Sequence, residues 1–321
     1  RVKKISLRYL QRGVIVVDFN NLMDLQFEIF ILMIIGYILR KTNIISKEHR
    51  KSLTDLVIYI VLPANIIYSF MIKMDTQIIK SGLTILIVSI IIQFACQVFG
   101  KYFFIKATKR QQSVLQYGTI CSNAGFMGSP LIQGLYGLDG LLFASIYLIP
   151  QRIVMWSGGV ACFTNAKGKD VIKKVITHPC IIAVFIGLFI MIGQIQLPSF
   201  LKVSIQSLSN CTMALSMIVI GGILAEIKIR DVINRLTLYY SFIRLILIPL
   251  LVLFSCAIVN LPPLVTAVAT VLAGMPAGST TAILAEKYDG DSNLAVEIVF
   301  LSTALSLLTI PLLCLVINMV V

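Results

Sequence analysis

The chain reads as an all-α integral membrane protein, with ten transmembrane helices in a 5+5 inverted repeat and broken helices at spans four and nine. Three observations predict this. First, only 13% of its 321 residues are charged and 58% are hydrophobic, whereas a soluble domain devotes about a quarter of its residues to charge. Second, ten runs approach the roughly 20 mostly apolar residues that a helix needs to cross a bilayer. Third, two of those runs carry Gly/Pro breaks in corresponding places of the two halves. In carriers built from repeats, such breaks mark the binding site.

The elements follow in order. Residues 1–22 hold five Lys/Arg and an apolar patch too short to span, and they read as an upstream extension. A first five-helix repeat occupies residues 23–164, with runs at Leu25–Arg40, Leu53–Ile72, Ser81–Phe104, Ser113–Tyr136 and Leu141–Phe163. Residues 165–178 form a short basic linker. The second repeat, 179–321, has runs at Pro179–Ile195, Val203–Ala225, Leu236–Val259, Pro263–Glu286 and Leu294–Val320. The halves share weak internal likeness. Tyr, Gly and Asp precede the run after each broken span, and SLTDLVIYIVLP from Ser52 matches SLSNCTMALSMI from Ser207. Five spans per half is odd, so the halves must be inverted in the membrane.

The net charge of +13 does not indicate a nucleic-acid partner, because the basic residues sit in short loops. Seventeen Lys/Arg fall in the odd-numbered loops and three in the even-numbered ones. The positive-inside rule then puts the odd loops in the cytoplasm and both termini outside, with the plasma membrane as the location. Seven cysteines lie within apolar runs without metal-ligand spacing and read as small buried residues. His49 and His178 fall in loops or at a span end. No HExxH, GxSxG or Walker motif occurs. An enzyme and an ATP-driven pump are therefore not expected, and neither is a metal or other cofactor.

The first break, Ser122–Gly137, reads SNAGFMGSPLIQGLYG. Gly128 loosens the backbone and Pro130 removes an N–H. Ser129-Pro130 reads as an N-cap followed by N1 of a second half-helix. The other break, Gly274–Tyr288, reads GMPAGSTTAILAEKY. There Pro276 and Gly278 interrupt the run, and Ser279 or Thr280 is placed to cap a new start. If the breaks cross, half-helix N-termini point partial positive charge into one cavity, which suits an anion. Asn123, expected a turn or two before the break, has an amide that can bind a carboxylate or cap freed carbonyls. Gln151 and Arg152 lie mid-span, where an arginine is costly and functional by default. Two ordinary proline kinks are the plainer alternative. Arg244 and Glu297 read equally as a structural pair, Pro63 as a kink, and Gly221-Gly222 as close helix packing.

These residues resemble the auxin efflux carrier family. Asn123, Met127-Gly128 and Pro130-Leu131 match its NxxxMGxPL pattern, and Pro276, Gly278, Ala285 and Tyr288 match its second broken segment. Leu62-Pro63 and Gln151 with Trp156 also fall where the family has them. The resemblance covers nearly the whole chain after Met23. It implies the fold of sodium-coupled bile-acid carriers, with crossover helices four and nine framing the site. Spans one, two, six and seven would be a scaffold for a moving transport domain. It further implies a secondary carrier for an organic anion, with Na+, H+ or no coupling ion. Homodimers occur in the plant branch. The long hydrophilic loop of the long plant carriers is absent, and GSTT after Pro276 is more polar than the plant pattern. A carboxylate such as malate or malonate is thus favoured over an auxin-like acid. The expected substrate-binding set is Asn123, Gly128, Ser129, Pro130, Gln151, Arg152, Pro276, Gly278, Ser279 and Thr280. An anion channel and a membrane-bound sensor are the alternatives on this scaffold.

Overall fold

The computed structural model describes residues 19–72, 76–155, 159, 161–163, 177–225, 232–288 and 290–321. Trp156, most of the 165–178 linker and the first eighteen residues lie outside them. The described residues form helices α1 (Phe19–Lys41), α2 (Lys47–Leu56), α3 (Leu62–Ser69), α4 (Thr76–Phe103), α5 (Lys109–Ile120) and α6 (Ser129–Val154). Then come α7 (Pro179–Ile192), α8 (Ser199–Leu224), α9 (Arg235–Phe242), α10 (Ile248–Ile258), α11 (Pro263–Ala273), α12 (Thr280–Lys287) and α13 (Ser292–Val320). Among the described residues the only β pairing outside named strands is one isolated antiparallel bridge, Ser122 with Ala277.

Helix α1 begins at Phe19, so the boundary expected at residue 22 falls inside a helix. Elsewhere every apolar run coincides with one or more helices. Among the described residues, six helical stretches are long and apolar enough to cross a membrane: Glu48–Ser69, Thr76–Phe103, Ala124–Val154, Ser199–Leu224, Arg235–Ile258 and Ser292–Val320. Pro179–Ile192 and Pro263–Ala273 are shorter apolar helices. The count falls below ten partly because the broken runs contain no unbroken apolar helix of that length. Runs four and five also merge into α6, bent at Gly137, whose φ of 66° only glycine adopts readily. The protein is thus a helical, multi-pass membrane protein.

Helix ends follow their side chains. Thr108 and Gln111 form a capping box at α5, as Asn234 and Thr237 do at α9. The Asp291 side chain accepts from the Leu294 N–H at α13. Three π-helical turns, Val57–Val61, Ala124–Gly128 and Ile243–Leu247, each stand directly before an X-Pro pair: Leu62-Pro63, Ser129-Pro130 and Ile248-Pro249. In each, the N–H before the proline reaches back five residues, to Val57, Ala124 or Ile243. The widened turn makes room for the proline ring without ending the helix. The expected kink at Pro63 takes this form.

Helices α1 and α8 touch backbone to backbone. A Cβ added at Gly36 would overlap the Ile218 carbonyl, and one at Gly221 would overlap that of Met33. Small residues permit such approach between helices in lipid. None of the seven cysteines forms a disulfide. Cys211 departs from the buried expectation and is exposed on α8. At the centre, Val265–Ala273 of α11 are all buried, and the interruptions after α5 and α11 meet beside them.

Candidate functional site

The two interruptions cross as short extended segments. The Asn123 N–H donates to the Pro276 carbonyl at 2.8 Å, and the Gly278 N–H donates to the Cys121 carbonyl at 2.9 Å. The first interruption therefore lies at Cys121–Asn123, upstream of its expected place at Ser129-Pro130. Asn123 occupies the interruption itself. Ser129 is not an N-cap: it continues the helix, and its hydroxyl donates to the Ala124 carbonyl at 3.4 Å. The π turn explains the shift, because Pro130 no longer needs a helix start to be tolerated. Ser279 takes the N-cap position of α12 without a side-chain capping bond. Thr280 instead accepts a hydrogen bond from the Tyr117 hydroxyl at 3.2 Å.

Three helices each lend one side chain to the crossed backbone. Gln151 of α6 donates from Nε2 to the Ser122 carbonyl at 2.7 Å and accepts from the Ser122 hydroxyl at 3.1 Å. Ser302 of α13 accepts from the Ala277 N–H at 3.1 Å. Arg244, in the turn between α9 and α10, donates to the Met275 carbonyl at 3.0 Å and the Thr119 carbonyl at 3.4 Å. Buried backbone groups need such partners, and irregular backbone at membrane depth needs them from protein or a wet cavity. Arg244 and Glu297 do not pair. Glu297 accepts from the Asn234 amide at 3.1 Å. The roles of Ser302 and Arg244 were not legible in the sequence, since both act on backbone groups from distant parts of the chain, and neither was that of Ser122, whose hydroxyl and carbonyl both meet the distant Gln151 amide.

Gly278 and Gly128 are closeness requirements. A Cβ at Gly278 would lie 2.9 Å from the Cys121 carbonyl, and one at Gly128 would lie 2.6 Å from a Leu272 methyl. Gly125 differs, because nothing lies within 4 Å of its added Cβ. This open space adjoins the start of the helix that runs from Ala124. Among the described residues, no acceptor meets the N–H groups of Ala124, Gly125 or Phe126. The Asn123 side chain is only 4% exposed, yet none of the described residues hydrogen-bonds its amide. A helix N-terminus with unpaired N–H groups attracts negative charge.

Arg152 lies away from the crossed strands. It is 6% exposed, and its Nη1 is enclosed without a hydrogen-bond partner. It stands within electrostatic range of His178 and Cys180 at the start of α7. The structure therefore gathers Asn123, Pro276, Gly278 and Gln151 at the crossing, with Thr280 tied to Tyr117 beside it. Gly128, Ser129 and Pro130 serve the helix leading away, and Arg152 faces α7.

His178 precedes α7, and its Nδ1 accepts from the Cys180 N–H at 3.3 Å. Desolvation, and then the Arg152 charge, lower its pKa from 6.5 to about 4. Between those values the unfolded chain binds a proton that the folded protein refuses. Stability is thus whole above the unfolded pKa and lost as pH falls toward the folded one. The melting temperature should decline through this window, and His178→Asn, which caps but does not titrate, should flatten the decline. Identical pH slopes in the two proteins would remove His178 from the account.

Comparison with known proteins returns the same regions. A family model described as "Membrane transport protein" matches residues 22–171 and 163–314. An uncharacterised transporter of Methanocaldococcus jannaschii is 24% identical over 300 residues, covering 90% of this chain and 97% of its own. Another, from Methanothermobacter thermautotrophicus, is 25% identical over 293 residues, covering 88% and 94%. The uncharacterised transporter YfdV of Escherichia coli is 22% identical over 239 residues, covering 70% and 75%.

Proposed function

Since the chain belongs to the membrane transport protein family, that of the auxin efflux carriers, and is a transporter rather than an enzyme, we propose that its cargo is a small organic anion carried by alternating access. One observation carries this reading. The Asn123 amide is buried and unbonded, beside open space at Gly125 and the unpaired N–H groups that begin the next helix. Donors without acceptors in a low-dielectric interior are costly. A carboxylate in that space would satisfy them and lie at the positive end of a helix.

Arg152 faces α7 rather than the crossing, but it is a second buried cation one residue from Gln151, and its reach to a second carboxylate would favour a dicarboxylate such as malate or malonate over an auxin-like monoacid. Residues 23–164 and 179–321 act as inverted halves of ten spans in all, in the manner of the bile-acid carrier fold. The loop charges support both termini outside the plasma membrane, and the plant branch supports a homodimer.

The test is thermal stabilisation by a panel of carboxylates, since a ligand that binds only the folded state raises the melting temperature. Asn123→Ala should fold normally but weaken binding about tenfold to a hundredfold, the worth of a hydrogen bond to a charged group. Unchanged affinity would sink the site. Counterflow in malate-loaded vesicles distinguishes a carrier from a channel, because a channel gives none.

A further inference from the structure

Two half-helices end at the crossing, α5 at Ile120 and α11 at Ala273. Their C-termini bring partial negative charge to one place. In carriers with discontinuous helices, such ends and the unwound carbonyls near them coordinate the coupling cation. The orphaned carbonyls are identifiable here. Thr119 would ordinarily accept from the N–H four residues on, but the Asn123 N–H has turned to Pro276. Met275 lies in the unwound segment just past α11.

Both carbonyls already hold a cation. The Arg244 guanidinium donates to Met275 at 3.0 Å and to Thr119 at 3.4 Å. It is 3% exposed and has no carboxylate partner among the described residues. A buried charge of this kind needs compensation, and the two helix ends provide it. The forked guanidinium suits the task, because it offers several donors in one plane to two acceptors at once.

We infer that Arg244 is a tethered cation filling the place of a coupling ion, so that this crossing needs no sodium. Arg244 is a positioning residue. It touches no cargo, and it holds the two half-helix ends together wherever the crossing moves. The inference goes beyond the anion site and stands whether or not that reading holds, because its test contains no anionic cargo.

The experiment is the melting temperature of the purified, cargo-free protein in sodium, choline or guanidinium chloride at equal ionic strength. Guanidinium is kept at about 10 mM, far below the molar range that unfolds proteins. The wild-type protein should melt at the same temperature in sodium and choline. Arg244→Ala should melt lower in choline and recover several degrees in guanidinium or sodium, which then occupy the vacated carbonyls. Arg244→Lys keeps a tethered charge, so it should fold and remain indifferent to sodium. Sodium-specific stabilisation of the wild-type protein would overturn the inference, as would an Arg244→Ala protein that gains nothing from either cation. If Arg244→Ala cannot be purified in any of the three salts, the wild-type and Arg244→Lys responses decide. A sodium response in Arg244→Lys counts against the inference.

Discussion

Replacing Gly221 with valine should leave no folded, monodisperse protein, and Gly36→Val should do the same. Each glycine faces the other helix's backbone, Gly221 against Met33 and Gly36 against Ile218. A flexible side chain can swing away from an added methyl group, but a carbonyl inside a helix cannot. The helices would have to separate, and the long α1–α8 contact would open along its length. Overpacking a core costs about 1–3 kcal/mol where side chains can yield, and more where they cannot. Total stability is only about 5–15 kcal/mol, so the loss is decisive. Size-exclusion chromatography of the solubilised protein reads the outcome. Gly125→Ala is the control, since its methyl enters open space and should leave the folded yield unchanged. A monodisperse Gly221→Val protein melting near the wild-type temperature would mean that the two backbones do not touch.

Arg152→Met should move stability and binding in opposite directions. The guanidinium is buried, and its Nη1 has no hydrogen-bond partner. An arginine at membrane depth costs about 2.5–3.5 kcal/mol on insertion scales, and methionine fills similar space at no such cost. The ligand-free variant should therefore melt higher than the wild-type protein. Binding of a dicarboxylate should fall roughly a hundredfold or more, because removing one partner of a buried charge pair costs about 2–5 kcal/mol. Melting curves with and without malate report both effects. A variant that melts lower when free and binds unchanged would make Arg152 a structural residue.

How much of this was legible in the sequence depends on the distance over which each signal acts. The apolar runs and their order could be read because burial in lipid is written residue by residue. The pair of interruptions was legible because Gly and Pro have few other uses inside a span. The exact place of the first was not. Pro130 is a local signal, but the π turn that tolerates it depends on hydrogen bonds with a five-residue reach. Asn123 was marked by its chemistry, and the structure adds that its amide is unbonded. The pairing of Arg244 with Glu297 was the natural guess from opposite charges. It failed because the stronger claim on Arg244 comes from the backbone carbonyls of Thr119 and Met275, which no sequence pattern displays. Likewise Gly221-Gly222 announced close packing, while its partner Gly36 carried no sign of its own.

The three π turns also fix angular phase. One extra residue in a helix rotates everything beyond it by about 100° and advances it by about 1.5 Å. The turn at Val57–Val61 precedes Asn65, whose amide reaches Gln133 of α6 at 3.0 Å and Ser209 of α8 at 2.9 Å. The widened turn absorbs one residue, so forcing the same residues into a regular helix would carry Asn65 about a quarter-turn away from both partners. The irregularity therefore works as a spacer that dials one amide onto a junction of three helices. A comparison of the two halves that slides them past one another without gaps will lose the apolar stripe at each such turn, which helps explain why their likeness is faint.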